Sequence, residues 1–382
     1  MDFDDSPTEA AFRAEARAWL QANARLHPEA VHREAGHVNE CRAWQARLFQ
    51  GGWAGITWPV EYGGRGGTAV EQMIFSAEQA GFDVATGAFA VGLGMVGPTL
   101  IAHGSDSQKK RYLEPLLRGE EIWCQLFSEP GSGSDLASLS TTATPNDRGW
   151  KINGQKVWTS GAQHSDWAIL LARTDKDAPR HQGISYFVLD MRSPGIEVRP
   201  LRQMDGESHF NEVFLTDVLI GPDNLIGPLH GGWSVARTTL GSERAMIGGG
   251  NASWSFDDLV ALARTTGASG DAMQRQGLAA AYTRKRILGF LGLRAQTAIS
   301  QGRMPGAEAS VLKLAYSLHS AAVADLFESV LGPVGMLMDN ATPDNDFWQR
   351  QFLGQFAVRI GGGTDQIQRN VIGERVLGLP RT

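Results

Sequence analysis

One segment rich in glycine and serine could bind a ligand through its backbone. Residues 125–135 read Gln-Leu-Phe-Ser-Glu-Pro-Gly-Ser-Gly-Ser-Asp, with three serine hydroxyls and two glycines. Such residues leave several backbone N–H groups free to meet an anion or the edge of a heteroaromatic ring. Taken alone, the segment predicts a ligand loop and an ordinary surface loop equally well.

A second glycine cluster, Gly361-Gly362-Gly363, is followed by Thr-Asp-Gln-Ile-Gln-Arg-Asn. This pattern is typical of a loop that enters a helix, whose N-terminus could hold a phosphate or a carbonyl oxygen. A tight turn between two helices is the alternative. Neither glycine cluster has the spacing of a dinucleotide or P-loop fingerprint, which disfavours a Rossmann or P-loop site.

A tryptophan followed by hydroxyls, Trp158-Thr159-Ser160-Gly161, lies on a predicted strand. The indole could stack against a flat cofactor, and a neighbouring hydroxyl could bond to the cofactor's edge. Considered by itself, however, Trp158 is predicted to be a core residue.

Together, in this order and spacing, the three segments resemble the acyl-CoA dehydrogenases over almost the whole chain. Residues 127–135 resemble the first signature of that family, 156–160 its flavin-facing strand, and 363–369 its C-terminal signature. The resemblance implies an N-terminal α-helical domain, a β domain and a C-terminal four-helix bundle. It also implies FAD held between the β domain and the bundle.

Carried over residue by residue, the resemblance implies that eight residues contact the flavin cofactor. Trp158 and Ser160 would flank the isoalloxazine ring, with the hydroxyl near N5, and Ser134 would lie toward both flavin and substrate. Thr364 and Gln366 would contact the adenosine half of FAD. The remaining contacts along the isoalloxazine would come from Gln125, Phe127 and Ser128.

The resemblance also bears on the catalytic base. Many family members carry a glutamate directly before the Gly-Thr of the C-terminal signature, but here that position is Gly362. A smaller set, similar to isovaleryl- and long-chain-type enzymes, supplies the carboxylate from a Glu-Arg pair on a helix of the C-terminal domain. Glu243-Arg244 matches that pair, and the apolar and glycine residues after it favour a buried site over a solvated helix face.

The resemblance thereby implies a complete reaction. Glu243 would abstract the α-proton of an acyl-CoA, and hydride would pass from Cβ to flavin N5, giving the trans-2-enoyl-CoA. The backbone N–H of Gly362 and a ribityl hydroxyl of FAD would bind the thioester oxygen, and Arg244 would contact the substrate. An electron-transfer flavoprotein is the expected electron acceptor, although an acyl-CoA oxidase that uses oxygen has the same pattern.

Two segments depart from the family pattern. Homotetrameric relatives lend a neighbouring subunit an Arg-x-Gln-Phe-Gly segment and a Gln-x-x-Gly-Gly segment, but here residues 263–267 read Ala-Arg-Thr-Thr-Gly and 329–333 read Ser-Val-Leu-Gly-Pro. Proline lacks a backbone donor. The residues implied to act on the chain's own flavin are retained, whereas the two segments lent to a neighbour are altered. This asymmetry resembles actinobacterial heterotetrameric dehydrogenases of sterol side chains. We therefore expect the chain to be the base-bearing subunit of an α2β2 assembly with a paralogous chain. The alternatives are a homo-oligomer in which Arg264 reaches the pyrophosphate, and a catalytically silent scaffold subunit.

Composition excludes several other classes of protein. The chain has 382 residues, 42% hydrophobic and 20% charged, with a net charge of -6 and no long basic run, which argues against nucleic-acid binding. Its two cysteines suggest neither disulfides nor a metal site. The acidic N-terminus and the lack of a long apolar run predict neither a signal peptide nor a membrane span. We therefore expect a cytoplasmic enzyme.

The elements that must position these residues change along the chain. A capping box at Ser6-Pro7-Thr8-Glu9 starts the first of several helices, which continue over 40–51, 68–82, 86–103 and 107–118. Strands are predicted at 167–172, 184–190, 196–201 and 210–219, with a hairpin turn at Asn153-Gly154. Helical spacing returns over 232–265, 272–300 and 307–331. We expect an α+β, mainly α fold: a helical domain (1–122), an antiparallel β-barrel or sandwich (123–228) and a four-helix bundle (229–382).

Overall fold

The computed structural model describes residues 5–26, 37–248, 254–300, 308–338 and 346–380. Contacts along the chain divide it into two compact units. The first contains the residues up to Gln203 together with Ser208–Ser242, and the second contains Met204–Glu207 and the residues from Glu243 onward. The helical N-terminal part and the β-sheet both belong to the first unit.

The N-terminal part of the first unit is helical, as predicted. The capping box at its start is confirmed, because the Ser6 side chain accepts a hydrogen bond from the backbone N–H of Glu9 while the Glu9 side chain accepts one from that of Ser6. The helices are α1 (Pro7–Asn23), α2 (His37–Gln50), α3 (Ala69–Gln79), α4 (Gly97–His103) and α5 (Asp106–Leu117).

Two of the predicted helices differ from the observed elements. The helix predicted over 68–82 ends at Gln79, because Phe82–Asp83 (β2) pairs with Arg25–Leu26 (β1) instead. The helix predicted over 86–103 is interrupted, since a π-helical turn, Gly92–Val96, precedes α4. Gly97 starts α4 directly against Trp58, where a Cβ would lie 2.0 Å from the indole ring.

The rest of the first unit is built on an eight-stranded sheet in the order β10-β7-β6-β4-β5-β9-β8, with β3 paired to β6. Most neighbours are antiparallel, whereas β3 and β4 each run parallel to β6. The strands are β3 (Trp123–Leu126), β4 (Thr142–Asn146), β5 (Gly149–Ser160), β6 (Trp167–Arg173), β7 (Ile184–Asp190), β8 (Ile196–Leu201), β9 (Phe210–Ile220) and β10 (Leu225–Ile226). All four strands predicted between 167 and 219 are present.

The predicted hairpin turn at Asn153-Gly154 is wrong. Both residues lie inside β5, and the chain turns between Asn146 and Gly149 instead. Gly154 is needed here because a Cβ would lie 2.3 Å from the Thr141 hydroxyl. The Asn153 side chain bonds to Asp217 on the neighbouring strand, accepting from its N–H at 2.9 Å and donating to its carboxylate at 3.0 Å.

The second unit is helical, and α6 leads into it from the first. The stretch predicted over 232–265 forms two helices, and residues 249–253 between them lie outside the described residues. A core of leucine, valine and aromatic side chains, among them Phe327 and Trp348, holds this unit together. The second unit contains the end of α6 (Gly232–Gly248), from Glu243 onward. Its other helices are α7 (Phe256–Thr265), α8 (Ala272–Ser300), α9 (Glu308–Leu331), α10 (Phe347–Ile360) and α11 (Asp365–Val371).

The α+β, mainly α fold class is thereby confirmed, with helices before and after a central β region. The domain boundaries predicted at residues 122 and 228 stay predictions, since the contacts define two units rather than three.

Candidate active site

In the first unit, β3 and the two residues that follow it carry three of the predicted ligand residues. Gln125 is half-buried on β3, whose register with β6 pairs it with Ile169. Phe127 is buried and contacts the ring of Tyr186 edge-on, with centroids 5.7 Å apart. The carbonyl of Ser128 accepts a hydrogen bond of 2.9 Å from the N–H of Val157, which ties the segment to β5.

Trp158 lies at a bulge in β5, where the pairing with β9 shifts between Lys156 and Thr159. Its backbone adopts a φ of 61°, which is unfavourable for a bulky side chain. The indole is 60% exposed and meets Phe210 edge-on at 6.0 Å. Trp158 is therefore not a core residue: the bulge turns its ring outward, which is how bulges re-aim side chains near binding sites. Ser160, at the end of β5, is also exposed.

The glycine-serine segment is an ordered loop that folds on itself. Glu129 and Ser132 exchange two backbone hydrogen bonds of 3.0 Å, and the Ser132 hydroxyl donates to the carbonyl of Asp135 at 2.8 Å. An ion pair between Asp135 and Arg180 holds the far side of the loop. Ser134 lies on the loop with its side chain exposed.

A buried ion pair, which the sequence analysis missed, fixes this loop against β5. Lys156 donates to Glu129 at 2.9 Å and to the carbonyl of Phe127 at 3.0 Å. Burial would raise the pKa of Glu129, but the Lys156 ammonium and hydrogen bonds from Thr141 and Ser140 outweigh it and lower that pKa to about 2. Alternation along β5 could have revealed the pair, because Lys156 has the same parity as the buried Ile152.

In the second unit, Glu243 is half-buried on α6 and interacts electrostatically with two cations. Its charge favours the protonated form of Lys313 and of Arg244. Burial lowers the pKa of Arg244, the Glu243 carboxylate opposes that shift, and Arg375 adds to it. The apolar neighbourhood predicted after Glu243 is only partly observable, because the side chains at 245 and 247 and residues 249 and 250 lie outside the described residues.

The second glycine cluster lies in the short link between the end of α10 at Ile360 and the start of α11 at Asp365. It is thus both a loop that enters a helix and a tight turn between two helices, and its ligand role stays a prediction. Gly362 and Gly363 have φ values of 64° and 89°, which glycine adopts without strain. Thr364 caps α11, since its hydroxyl accepts a hydrogen bond of 3.2 Å from the N–H of Ile367. Gln366 follows in the first turn of α11 with its side chain exposed.

A second buried ion pair, also missed in the sequence, lies beneath this turn. The Lys313 ammonium donates to the carbonyl of Gly363 at 2.8 Å and lies 3.8 Å from the carboxylate of Asp365. Ser317, one helical turn after Lys313, donates to the same carboxylate, and Arg359 lies 3.5 Å from it. The surroundings of Glu243 and of the glycine turn thus share one residue, Lys313.

The structure therefore gathers the predicted site residues into two groups, one in each unit. The first group comprises Gln125, Phe127, Ser128, Ser134, Trp158 and Ser160, and it is organised by β3, β5 and the loop between them. The second comprises Glu243, Arg244, Gly362, Thr364 and Gln366, and it is organised by α6, α9 and α11.

The two segments that depart from the family pattern both end helices in the second unit. Arg264 lies in the last turn of α7, and Gly267 follows it with a φ of 79°. α9 ends at Leu331, and Pro333 is the second residue of the 3-10 turn Gly332–Met336, where it has no N–H to donate.

Neither a membrane helix nor a metal cluster is found among the residues described. None of the helices in these ranges is both long and apolar enough to cross a bilayer. Within the same ranges, no three His, Cys, Asp or Glu side chains are grouped so that they could hold a metal ion.

Comparison with known proteins finds three family models that together cover most of the chain. The acyl-CoA dehydrogenase N-terminal domain matches residues 6–120, the middle domain 124–218 and the C-terminal domain 230–377.

Individual relatives and solved structures agree with these family models. Acyl-CoA dehydrogenase IpdE1 of Mycobacterium tuberculosis is 40% identical over 97% of both chains. The solved structure titled Tcur3481-Tcur3483 steroid ACAD superposes with a TM-score of 0.86, at 29% identity over 100% of both chains. The ChsE4-ChsE5 complex from Mycobacterium tuberculosis superposes with a TM-score of 0.82, at 28% identity and again over 100% of both chains.

Proposed function

Because the chain belongs to the acyl-CoA dehydrogenase family, we propose that it dehydrogenates Cα and Cβ of an acyl-CoA with Glu243 as the base. The family is one of oxidoreductases that bind FAD, and FAD supplies the acceptor for the hydride that leaves Cβ. The α-proton passes to the Glu243 carboxylate, the Cβ hydrogen leaves with its bonding electrons, and a trans double bond forms between the two carbons.

The observation that carries this proposal is the neighbourhood of Glu243 within the second unit. Its carboxylate is half-buried and acts on Lys313, which bonds directly to the turn that contains Gly362 and Gly363. Within the described ranges, the backbone N–H of Gly362 makes no hydrogen bond to a backbone carbonyl. Proton removal beside a carbonyl requires a carboxylate as base and a donor for the carbonyl oxygen, and Lys313 interacts both with the Glu243 carboxylate and with the turn that carries the Gly362 amide.

The chemistry explains why both groups are needed. The α-proton of a thioester is weakly acidic, and the negative charge that develops as it leaves accumulates on the carbonyl oxygen. A donor aimed at that oxygen stabilises the charge most effectively in a site that excludes water. Gly362 suits this role because, without a side chain, it keeps its N–H accessible, and Glu243 takes over the base function that other family members place at that position.

The residues expected to face the flavin fit a flat ring. Trp158 keeps a bulky indole exposed on a strained backbone, and Ser160 offers an exposed hydroxyl two residues later. Strain that the fold retains at an exposed aromatic side chain favours a binding role over a packing role. The ring would be held by Gln125, Phe127, Ser128, Ser134, Trp158 and Ser160, and the adenosine half by Thr364 and Gln366.

We further propose that the chain functions in an α2β2 assembly with a paralogous subunit. The residues expected to act on its own flavin are retained, whereas both segments that homotetrameric relatives lend to a neighbour are altered, with Pro333 in place of a glycine. The similarity to a structure solved as the ChsE4-ChsE5 complex supports this assembly.

A bulky acyl-CoA that carries a steroid-derived group is the substrate class we propose. The support is the printed description of a structural neighbour as a steroid ACAD, which matches this chain over its full length. An electron-transfer flavoprotein is the proposed electron acceptor.

One experiment tests these proposals together. The chain is purified alone and with its paralogue, and flavin absorbance at about 450 nm is followed anaerobically with short, branched and steroid-derived acyl-CoAs. We expect bleaching by the steroid-derived substrate in the co-purified assembly. A stable homotetramer with one tight FAD per chain contradicts the assembly, and no bleaching by any acyl-CoA supports a silent scaffold subunit. Rapid reoxidation by oxygen, unaffected by an electron-transfer flavoprotein, identifies an oxidase.

A further inference from the structure

Lys313 is a fully buried lysine that the proposed base chemistry does not use. Its side chain has 0% exposure, although an ammonium group is strongly hydrated in water. Buried charges persist in proteins when they are paired and hydrogen-bonded, and they are concentrated at functional sites.

The partners of Lys313 lie on the turn that precedes α11. Its ammonium donates to the carbonyl of Gly363 at 2.8 Å, and the carboxylate of Asp365 lies 3.8 Å away. Asp365 is held in turn by Ser317 and by Arg359. Lys313 thus belongs to a polar network around the buried Asp365 carboxylate, and it connects this network to the glycine turn through the carbonyl of Gly363.

The glycine turn is fixed from its inner side. The buried Gln368 side chain donates to the carbonyls of Gly362 and Gly363 at 2.9 and 3.1 Å, so that Gly363 accepts from both Gln368 and Lys313. Because a peptide group is planar and trans, its N–H points away from its carbonyl oxygen. Holding the carbonyls of Gly362 and Gly363 fixes the two peptide planes that follow Gly362. The Gly362 N–H belongs to the preceding peptide, so its direction is set relative to these planes by the φ and ψ angles of Gly362 alone.

Lys313 also interacts electrostatically with the carboxylate assigned as the base. Burial lowers the pKa of Lys313, and the charges of Asp365 and Glu243 both oppose that shift. Glu243 also acts on Arg244, and Arg375 in turn acts on Arg244. One ammonium group therefore contacts the turn and acts electrostatically on the base.

We propose that Lys313 is a positioning residue: it holds the Gly362–Gly363 turn so that the Gly362 amide meets the thioester oxygen. This inference rests on the proposed acyl-CoA dehydrogenase activity. It adds a residue that orients the donor without itself touching substrate or flavin.

The test uses Lys313→Met in the FAD-loaded assembly and two readouts. The first readout uses a bound enoyl-CoA whose double bond conjugates an aromatic group with the thioester carbonyl. The absorption band of this probe shifts to the red when hydrogen-bond donors polarise the carbonyl. The second is the anaerobic rate of flavin reduction by substrate. We expect a smaller red shift and a rate lower by about 10- to 100-fold, as for loss of part of an oxyanion-binding site, with little change in the dissociation constant of the acyl-CoA.

A second variant guards against misfolding. Lys313→Met leaves Asp365 without one of its cations, whereas Lys313→Met/Asp365→Asn removes both charges and still leaves Gly363 without the lysine donor. Lys110→Met, which removes an exposed lysine of α5, is the matched control. A wild-type red shift and reduction rate in either variant overturns the role of Lys313. Absence of flavin reduction in the wild-type assembly instead overturns the proposed function, and the red shift still reports on Lys313 independently.

Discussion

Replacing Lys156 by methionine should strongly destabilise the protein. The substitution removes the ammonium group that pairs with Glu129 at 2.9 Å. Both side chains are buried, with 0% of Lys156 and 4% of Glu129 exposed, so the remaining carboxylate cannot be hydrated instead. Removing one partner of a buried ion pair costs about 3–5 kcal/mol.

The pH dependence of this effect has a definite sign. Since the folded-state pKa of Glu129 lies below its ordinary value, the stabilisation is complete above about pH 4.5 and is lost as the pH falls toward 2. The difference in melting temperature between wild type and Lys156→Met should therefore be largest near neutral pH and should shrink on acidification.

Differential scanning calorimetry of the FAD-loaded protein measures both effects. We expect a decrease in melting temperature on the order of 10 °C for Lys156→Met, and partial recovery in Lys156→Met/Glu129→Gln, which leaves no buried charge. Lys151→Met is the matched control, because Lys151 lies on the same strand but pairs with Asp217 at 3.3 Å in an exposed position. Equal melting temperatures for Lys156→Met and Lys151→Met, or a difference that grows in acid, would refute the reasoning.

Two further predictions concern stability and flavin binding. Trp158→Gly should relieve the strain of the left-handed backbone at the bulge and so raise the melting temperature of the apoprotein, measured by calorimetry. The same substitution should weaken FAD binding, measured by flavin titration. An unchanged affinity for FAD would argue against a stacking role for Trp158. Gly97→Ala should lower stability by about 1–3 kcal/mol because its Cβ would overlap Trp58, whereas Gly289→Ala on α8 meets no atom and should not lower it. Equal melting temperatures for the two alanine variants would contradict the packing argument at Gly97.

Local signals in the sequence were sufficient for much of the fold. The capping box at Ser6 and the apolar runs of β6 and β7 depend on residues close together in the chain, and each was predicted within a few residues. The same approach failed at Asn153-Gly154, because the pair has the composition of a tight turn. What keeps Gly154 inside a strand is its contact with Thr141, which no local pattern reveals.

For the candidate site as well, features set by neighbouring residues were predictable from the sequence, and features set by residues far apart in the chain were not. Motifs located the glycine-serine loop, the exposed Trp158 segment and the turn before α11. The ion pairs beneath them, Glu129 with Lys156 and Lys313 with Asp365, join residues 27 and 52 positions apart along the chain. Their pairing follows from the fold, and only the structure could identify which charged residues hold each loop.

The central claim is that Glu243 removes the α-proton, and rapid mixing of the FAD-loaded assembly with an acyl-CoA under anaerobic conditions tests it most directly. Glu243→Gln should bind FAD and acyl-CoA as the wild type does, yet bleach the flavin at a rate lower by at least about 10²-fold, because a neutral amide cannot accept the proton. Glu328→Gln, which removes another partly buried carboxylate of the same unit, should reduce flavin at the wild-type rate. Near-normal bleaching in Glu243→Gln would contradict the assignment of the base.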